Sequence, residues 1–407
     1  MDNTADTQHR RLSILQVGGL AGPGAAAGGV WAVARTQRAA LAGLGETVEL
    51  VGGWLGRVPK TDNTANGEDP VTLFRVRRPF PGARLRGLVS LRLPRYVAAR
   101  AASSDVVQVH LCRDFITTAA TVLLSRRNTP VIAQSHGMLV PSRSLPVRIY
   151  DTAITRWLVR IPRLWLTLTE DEERGLQQLG VDPVRMRRVV NATVASDHVW
   201  SDPEQQVFLF AARLAPRKQP AVFVQAALEA LDRGLDAHFI LAGPDQGEAA
   251  RVRAMIAASA HAERFEVSGE LTPAQVQSAM AACTAYVLPA LNEPYPMSVI
   301  EAAAVGTPLI VTSECGLADD LYEGDAAVLA EPTADAFCRA MLNVGADPDR
   351  RIELGANARR VHQRLWSAER LAEELRKLCL EALEETAGSS WETIKPAEPV
   401  QQNGGRL

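Results

Sequence analysis

An α/β fold built from two doubly wound, parallel-sheet domains is predicted by three features of the sequence. Short β-rich runs alternate with helical patterns through most of the chain. The runs fall into two sets of six. At 407 residues and 47% hydrophobic content, the chain buries a large core but exceeds a comfortable single-domain size.

The first set of strands is expected at 12–17, 47–51, 106–109, 130–135, 165–169 and 186–190, and the second at 207–211, 238–242, 265–268, 285–289, 309–312 and 327–329. The charge-free stretch 12–34 has the length of a membrane helix, but Gly18, Gly19, Gly22, Pro23, Gly24, Gly28 and Gly29 interrupt it. It therefore predicts a strand, a glycine loop and a helix start. His9, Arg10 and Arg11 ahead of it imitate a signal peptide, yet the apolar run before Gly18 is too short, so no cleaved leader is expected. The segment 191–203 lacks periodicity and is rich in turn formers, which places the domain boundary near Pro203. A helix is expected over 367–385, with Ser367 as its N-cap and apolar residues three and four apart. From Gly388 onward apolar residues thin out, and a mobile tail is expected. The division is then an extension 1–11, domains 12–203 and 204–365, a helix 366–387 and a tail 388–407.

Composition narrows the function. The chain has 44 Lys+Arg against 46 Asp+Glu, a formal net charge of −2, so no nucleic-acid partner is expected. Cys112, Cys283, Cys315, Cys338 and Cys379 are odd in number and include no C-x-x-C pair. That argues against a disulfide framework or a structural zinc site and suits a reducing cytoplasm.

The most informative segment is Pro289-Ala-Leu-Asn-Glu-Pro-Tyr-Pro-Met-Ser-Val-Ile-Glu-Ala-Ala-Ala-Val-Gly. Pro294 and Pro296 forbid a helix through Glu293, so a helix must begin near Pro296 or Met297 and stop at Gly306. Glu293 then sits in a loop at a strand's carboxyl end and Glu301 one turn into the helix. The backbone N–H groups of Met297, Ser298 and Val299 are expected to be free for a phosphate. Carboxylates beside an anion site suit a ligand with sugar or ribose hydroxyls, although a solvated Glu301 and a turn residue Glu293 would look the same in sequence. Arg213 and Lys218 follow the first strand of the second domain, where two cations can clamp a diphosphate. Arg217 is expected to face solvent. In the first domain the glycine loop does not fit G-x-G-x-x-G, which rules out a dinucleotide fingerprint. His136 ends another strand, where it can enter a crevice or serve as a cap. His110, Arg113 and Asp114 also lie at a strand end, as acceptor contacts or caps. Between Asp69 and Asp105 Arg75, Arg77, Arg78, Arg84, Arg86, Arg92, Arg95 and Arg100 accumulate with Phe74, Phe80 and Tyr96 and no acidic residue. That run can meet anionic lipid headgroups or form a solvated face.

Glu293-x7-Glu301, the Arg213/Lys218 pair, His136-Gly, the glycine loop and Asn191 after Val189-Val190 together resemble a retaining glycosyltransferase of family 4, with the GT-B fold. The resemblance runs from about Leu12 to Glu385 and is strongest from Phe208 to Asp320. It implies two facing Rossmann-like domains with an interdomain cleft, the first binding acceptor and the second a nucleotide-sugar. It also implies that the C-terminal helix crosses back to the first domain. By the same match Arg213 and Lys218 would neutralise the diphosphate, Glu301 would bind ribose, and Glu293 would contact the donor sugar. His136 would lie beside that sugar, Gly28 and Gly29 would approach the phosphates, and Leu271 would meet the base. Tyr295, Pro296, Met297 and Ser298 would line the donor site, and His110, Arg113 and Asp114 the acceptor site. The implied reaction is retaining, metal-independent hexosyl transfer without a cofactor, UDP-sugars slightly favoured over GDP-sugars, to a glycan, glycolipid or small-molecule hydroxyl. The implied location is cytoplasmic, with peripheral contact at an anionic membrane face. A non-catalytic sugar-nucleotide-binding regulator or scaffold of the same fold is the alternative. The sequence departs from the family in having Ala192, not Gly, after Asn191, and prolines in a loop that often carries glycine.

Overall fold

A computed structural model describes residues 10–22, 28–58, 71–78 and 87–388. The expected tail from 389 lies outside these residues, as do Phe80, Arg84, Arg86 and the middle of the glycine loop, 23–27.

The first sheet contains β1 (Ser13–Ala21), β2 (Thr47–Leu55), β3 (Thr72–Val76), β4 (Val106–His110), β5 (Val131–Gln134), β6 (Leu164–Thr167) and β7 (Met186–Arg188), in the order β3-β2-β1-β4-β5-β6-β7. The second contains β8 (Gln206–Ala211), β9 (Ala237–Ala242), β10 (Phe265–Gly269), β11 (Ala285–Leu288), β12 (Leu309–Thr312) and β13 (Ala327–Ala330), in the order β10-β9-β8-β11-β12-β13. The pairs that meet at each centre, β1 with β4 and β8 with β11, are parallel. Every residue of β4, β5, β6, β11 and β12 is buried, because helices cover both faces. Each sheet reverses its winding once, between β1 and β4 and between β8 and β11. A crevice opens at the strands' carboxyl ends at such a reversal, where doubly wound folds bind ligands.

The structure departs from expectation in three places. β1 does not stop at Val17 but continues through Gly18 and Gly19 to Ala21, with a register shift against β2. The indole of Trp31 explains the glycines: a Cβ on Gly18 or Gly52 would lie 2.7 or 2.5 Å from its ring. Within the arginine run, Thr72–Val76 forms the edge strand β3, which the sequence did not announce. The domain boundary falls before Trp200, not at Pro203. Trp200 packs on the second core, its N–H bonded to Val305 O and its indole to Cys283 O at 2.7 Å.

The helix Met297–Val305 ends on Gly306 in the left-handed region, φ 86°, as the glycine predicts. The last helix, Ala368–Gly388, begins after Ser367, whose Oγ accepts from Arg370 N. Its Leu371, Leu375, Leu378, Cys379 and Ala382 join Leu12, Ile14, Val106 and Ile132 in one core cluster, whereas Trp366 belongs to the second domain's core. The chain thus passes between domains at Ser367, where Thr193 N donates to Trp366 O and Ala368 N donates to Thr193 O, both at 3.1 Å. Among the described residues no helix is long and apolar enough to cross a membrane.

Candidate functional site

At the second sheet's reversal, β8 delivers the loop holding Arg213, Arg217 and Lys218, and β11 the loop holding Glu293. Lys218 and Glu293 are both about nine-tenths buried, at 8% exposure. Lys218 Nζ and an Arg217 guanidinium nitrogen each lie 3.0 Å from the same oxygen, Oε2 of Glu293. Arg217 is exposed as expected, with its side chain 45% accessible, and still reaches the cluster through Glu293. Burial lowers the Lys218 pKa, Glu293 opposes that shift, and the positive charges of Arg217 and Arg213 add to it. Arg213 is exposed, and its guanidinium contacts Gln246 Oε1 at 3.4 Å. An exposed guanidinium beside a buried ammonium leaves positive charge directed outward from the strand ends, as an anion requires.

The Glu293 loop is fixed from below by Gly316. Its N–H donates to Glu293 O at 3.0 Å, and a Cβ there would lie 2.0 Å from Pro294 O. The helix Met297–Val305 starts from Pro296 with no side-chain cap. Of the three N–H groups expected to be free, that of Val299 donates to Pro296 O at 3.0 Å. The helix itself offers Met297 and Ser298 N–H no acceptor. Tyr286, on β11, ties this helix to β8: its hydroxyl bonds to Ser298 Oγ at 2.7 Å and to Ala211 O at 3.2 Å. Burial pushes the Glu301 carboxyl up to about 7. Tyr295 donates to Asn191 O at 3.2 Å, a link from the Glu293 loop to the segment after β7. Leu271 is half-buried just before the capping box of Thr272 and Gln275.

At the first sheet's reversal, His110 at the end of β4 meets His136 after β5. His110 Nδ1 and His136 Nε2 are 2.8 Å apart, and the rings stack with centroids 5.1 Å apart. Burial drives His110 down to about 4, and burial together with His110 holds His136 well below its ordinary value. Two neutral imidazoles this close share one proton in the contact, so one ring donates and the other accepts. His136 adopts φ 52°, a left-handed conformation uncommon outside glycine. The buried carboxylate of Glu172 holds it there: Oε1 accepts from Ser135 Oγ at 2.5 Å and Gly137 N at 2.7 Å, and Oε2 from Leu168 N at 2.8 Å.

The remaining first-domain candidates divide. Asp114 is the N-cap of the helix Phe115–Leu124, accepting from Ile116 N and Thr117 N. Arg113 is committed to Asp151, at 2.8 and 2.9 Å, and to Met138 O and Val140 O, both at 2.7 Å. Both therefore have structural partners within the first domain. His110 is fully buried, and its Nδ1 contacts His136. Gly28 and Gly29 open the helix Gly28–Gly43, and among the described residues nothing beyond the chain neighbours and the helix's own backbone lies within 4 Å of where a Gly29 Cβ would be. In the arginine run Glu49 accepts from Arg100 at 2.7 Å and from Tyr96 at 2.5 Å, so that face is not uniformly cationic.

Comparison with known proteins agrees with this architecture. The family model "Glycosyl transferases group 1" matches residues 197–361, and "Glycosyl transferase 4-like domain" matches 28–192. A D-inositol 3-phosphate glycosyltransferase of Rhodococcus jostii is 26% identical over 231 residues, 52% of this chain and 51% of that protein. The 2-deoxystreptamine glucosyltransferase of Streptomyces kanamyceticus is 28% identical over 306 residues, 67% of this chain and 79% of that protein. The chain thus aligns with about half the length of the first of these relatives. Among solved structures, a glycosyltransferase from Rickettsia africae superposes with a TM-score of 0.71 at 13% identity, covering 92% of this chain and all of that one. HepE from Anabaena, solved with UDP, gives 0.71 at 14% identity over 91% of this chain and 100% of that one. These structural likenesses establish the GT-B fold, and the two family models, each matched to one of the two sheets, place this chain among the group 1 glycosyltransferases.

Proposed function

We propose that the chain is a retaining hexosyltransferase that takes its sugar from a UDP-sugar and passes it to a hydroxyl of a cyclitol or related polyol. The observation that carries this reading is the cluster at the β8/β11 reversal, where Lys218, Arg217 and Glu293 meet beside an uncapped helix N-terminus. Arg213, Lys218 and the Met297 and Ser298 N–H groups would hold the diphosphate and stabilise the charge that grows on it as the glycosidic bond breaks. No divalent cation is needed for that task in this reading. Glu301 would accept from the ribose hydroxyls, Glu293 from the sugar, Leu271 would flank the base, and Tyr295 and Pro296 would shape the loop. Gly28 and Gly29 would let backbone approach the phosphates, and neutral His136 would hydrogen-bond the transferred sugar. The UDP bound to HepE and the cyclitol-type acceptors named for the two relatives support the choice of substrates.

A thermal-shift screen against UDP-, GDP-, ADP- and dTDP-sugars is the first test, since a ligand selective for the native state raises Tm. A shift confined to UDP-sugars is expected, followed by transfer to an inositol or aminocyclitol acceptor that persists in EDTA and gives the anomer of the donor. Binding without either transfer or hydrolysis would favour the non-catalytic sugar-nucleotide-binding alternative. Loss of transfer in EDTA would overturn the metal-independent reading.

A further inference from the structure

A row of buried amides crosses the first sheet beneath its first helix, and the proposed transfer chemistry leaves it unused. Gln16 on β1 and Gln108 on β4 stand in register across the parallel pair, and Gln37 of the helix Gly28–Gly43 reaches down to the sheet beside them. Gln134 on β5 completes the row, and all four side chains are buried. The bonds run one way: Gln16 Nε2 donates to Gln108 Oε1 at 2.9 Å, Gln108 Nε2 to Gln37 Oε1 at 2.8 Å, and Gln37 Nε2 to Gln134 Oε1 at 2.9 Å. An amide that accepts on its oxygen donates from its nitrogen, so the direction at one end is passed to the other, and each bond polarises the next. Four apolar side chains would fill the same space without the cost of burying polar groups.

The donor end of this row meets the histidine pair. Gln134 is in register with His110 across β4 and β5, and both are fully buried. His110 follows Gln108 by two residues and so lies on the face that carries the row. Gln134 Nε2, which can only donate, and His110 Nε2 are buried atoms without a hydrogen-bond partner among the described residues. A buried donor and a buried ring nitrogen on neighbouring strands each supply what the other lacks, directly or across one water molecule. His110 Nδ1 is already engaged with His136 Nε2, at 2.8 Å.

We infer that this row sets the proton order of the histidine pair, with Gln134 and Gln37 as positioning residues for His136. Gln134 donates towards His110 Nε2, which therefore carries no proton. The proton of His110 sits on Nδ1 and is donated to His136 Nε2, and the proton of His136 is left on its Nδ1. A reversed row would present the Gln134 carbonyl to His110 and place both protons on Nε2. The direction of the row thus makes His136 a hydrogen-bond donor through Nδ1, suited to an oxygen of the sugar as acceptor, and leaves it no lone pair with which to act as a base. That last consequence rests on the reading that His136 lies beside the transferred sugar; the proton order does not.

The test is long-range nitrogen–proton NMR of the full chain labelled at its histidine nitrogens, at pH 7, with the two rings assigned by their loss in His110→Asn and His136→Asn. Two neutral rings, each protonated on Nδ1, are expected in the parent. Gln134→Leu removes the donor and should move the pair to Nε2 protonation or to a mixture. Gln37→Leu, one link further from the histidines, frees the Gln134 amide to turn and should give the mixture. In both variants kcat should fall by about tenfold or more while KM for the UDP-sugar stays within about twofold. Circular dichroism checks each fold, and the parent spectrum decides independently of either variant. Nε2 protonation in the parent overturns the inference, as does a parent-like spectrum in folded Gln134→Leu. Moved protons with unchanged turnover would instead remove His136 from the sugar and leave the proton order standing.

Discussion

Lys218 Nζ stands 3.0 Å from Glu293 Oε2, and both side chains are almost wholly buried, so neither charge is satisfied without the other. Removing one partner of such a pair leaves an uncompensated buried charge, and Arg217, on the same oxygen, covers only part of the loss. Lys218→Ala is therefore expected to lower stability by on the order of 1–3 kcal/mol in urea titration and to reduce transfer by a hundredfold or more. Adding Glu293→Gln should restore part of the stability and none of the transfer. A double variant no more stable than Lys218→Ala would show that the pair is not coupled.

Glu301 gives the site a pH dependence whose sign is fixed. Its carboxyl is raised to about 7 by burial, against an ordinary value of 4.5. Between those pH values the folded chain holds a proton that the unfolded chain has released, so this group's contribution to stability falls as pH rises from about 4.5 to about 7. Glu301→Gln should thus raise Tm at pH 8 and leave it nearly unchanged at pH 4.5, a difference on the order of 1–3 kcal/mol. If Glu301 accepts from ribose hydroxyls it does so as the carboxylate, and UDP affinity should then weaken as pH drops below 7 in the parent by more than in the variant. Calorimetric titrations across that range measure both.

The pair His110–His136 acts in the opposite direction. Both imidazoles titrate below the ordinary 6.5 because burial disfavours the cation, and His110 reaches about 4. Below pH 6.5 the unfolded chain binds protons that the fold refuses, so stability is lost as pH falls towards 4. His110→Asn should flatten that acid limb. If His110 orients His136 against the sugar, the same change lowers kcat more than it raises KM, and nitrogen NMR of the parent shows two neutral rings of defined tautomer. Imidazolium signals at pH 7 would contradict the assignment.

The parallel strands were legible because they are buried on both faces and read as continuous apolar runs, as in Leu309-Ile310-Val311. The edge strand β3 was not, since Thr72–Val76 is mostly half-exposed and its Arg75 points to water, leaving no continuous apolar signal. In the site, proline and glycine punctuation exposed Glu293, the helix start and Gly306. What escaped were partnerships between distant segments. Glu172 sits in a run of four acids, Glu170 to Glu173, that reads as ordinary helix-dipole charge, yet it alone turns inward to hold Ser135 and Gly137. Tyr286 looks like a strand aromatic until its hydroxyl is seen between Ala211 O and Ser298. Arg113 and Asp114 carry the residue types of a binding site, and their partners Asp151, Met138 O, Val140 O, Ile116 N and Thr117 N could not be read from sequence.

Gly316 and Gly29 separate a glycine needed for folding from one that a ligand needs. A methyl group on Gly316 would lie 2.0 Å from Pro294 O, a backbone atom that can move only with the Glu293 loop. Gly316→Ala is therefore expected to lower Tm and to weaken UDP binding together. Among the described residues a methyl group on Gly29 meets nothing within 4 Å beyond its own helix, and alanine suits a helix better than glycine, so Gly29→Ala should leave stability unchanged or raise it by up to ~1 kcal/mol. If the backbone at Gly29 closes on the donor phosphates, that methyl group intrudes only when substrate is bound. Turnover should then fall at least tenfold with Tm intact and with binding of free uridine unaffected, since uridine lacks the phosphates. Parent-level turnover in Gly29→Ala would remove the first helix's N-terminus from the donor site and leave the diphosphate to Arg213, Lys218 and the Met297 helix end.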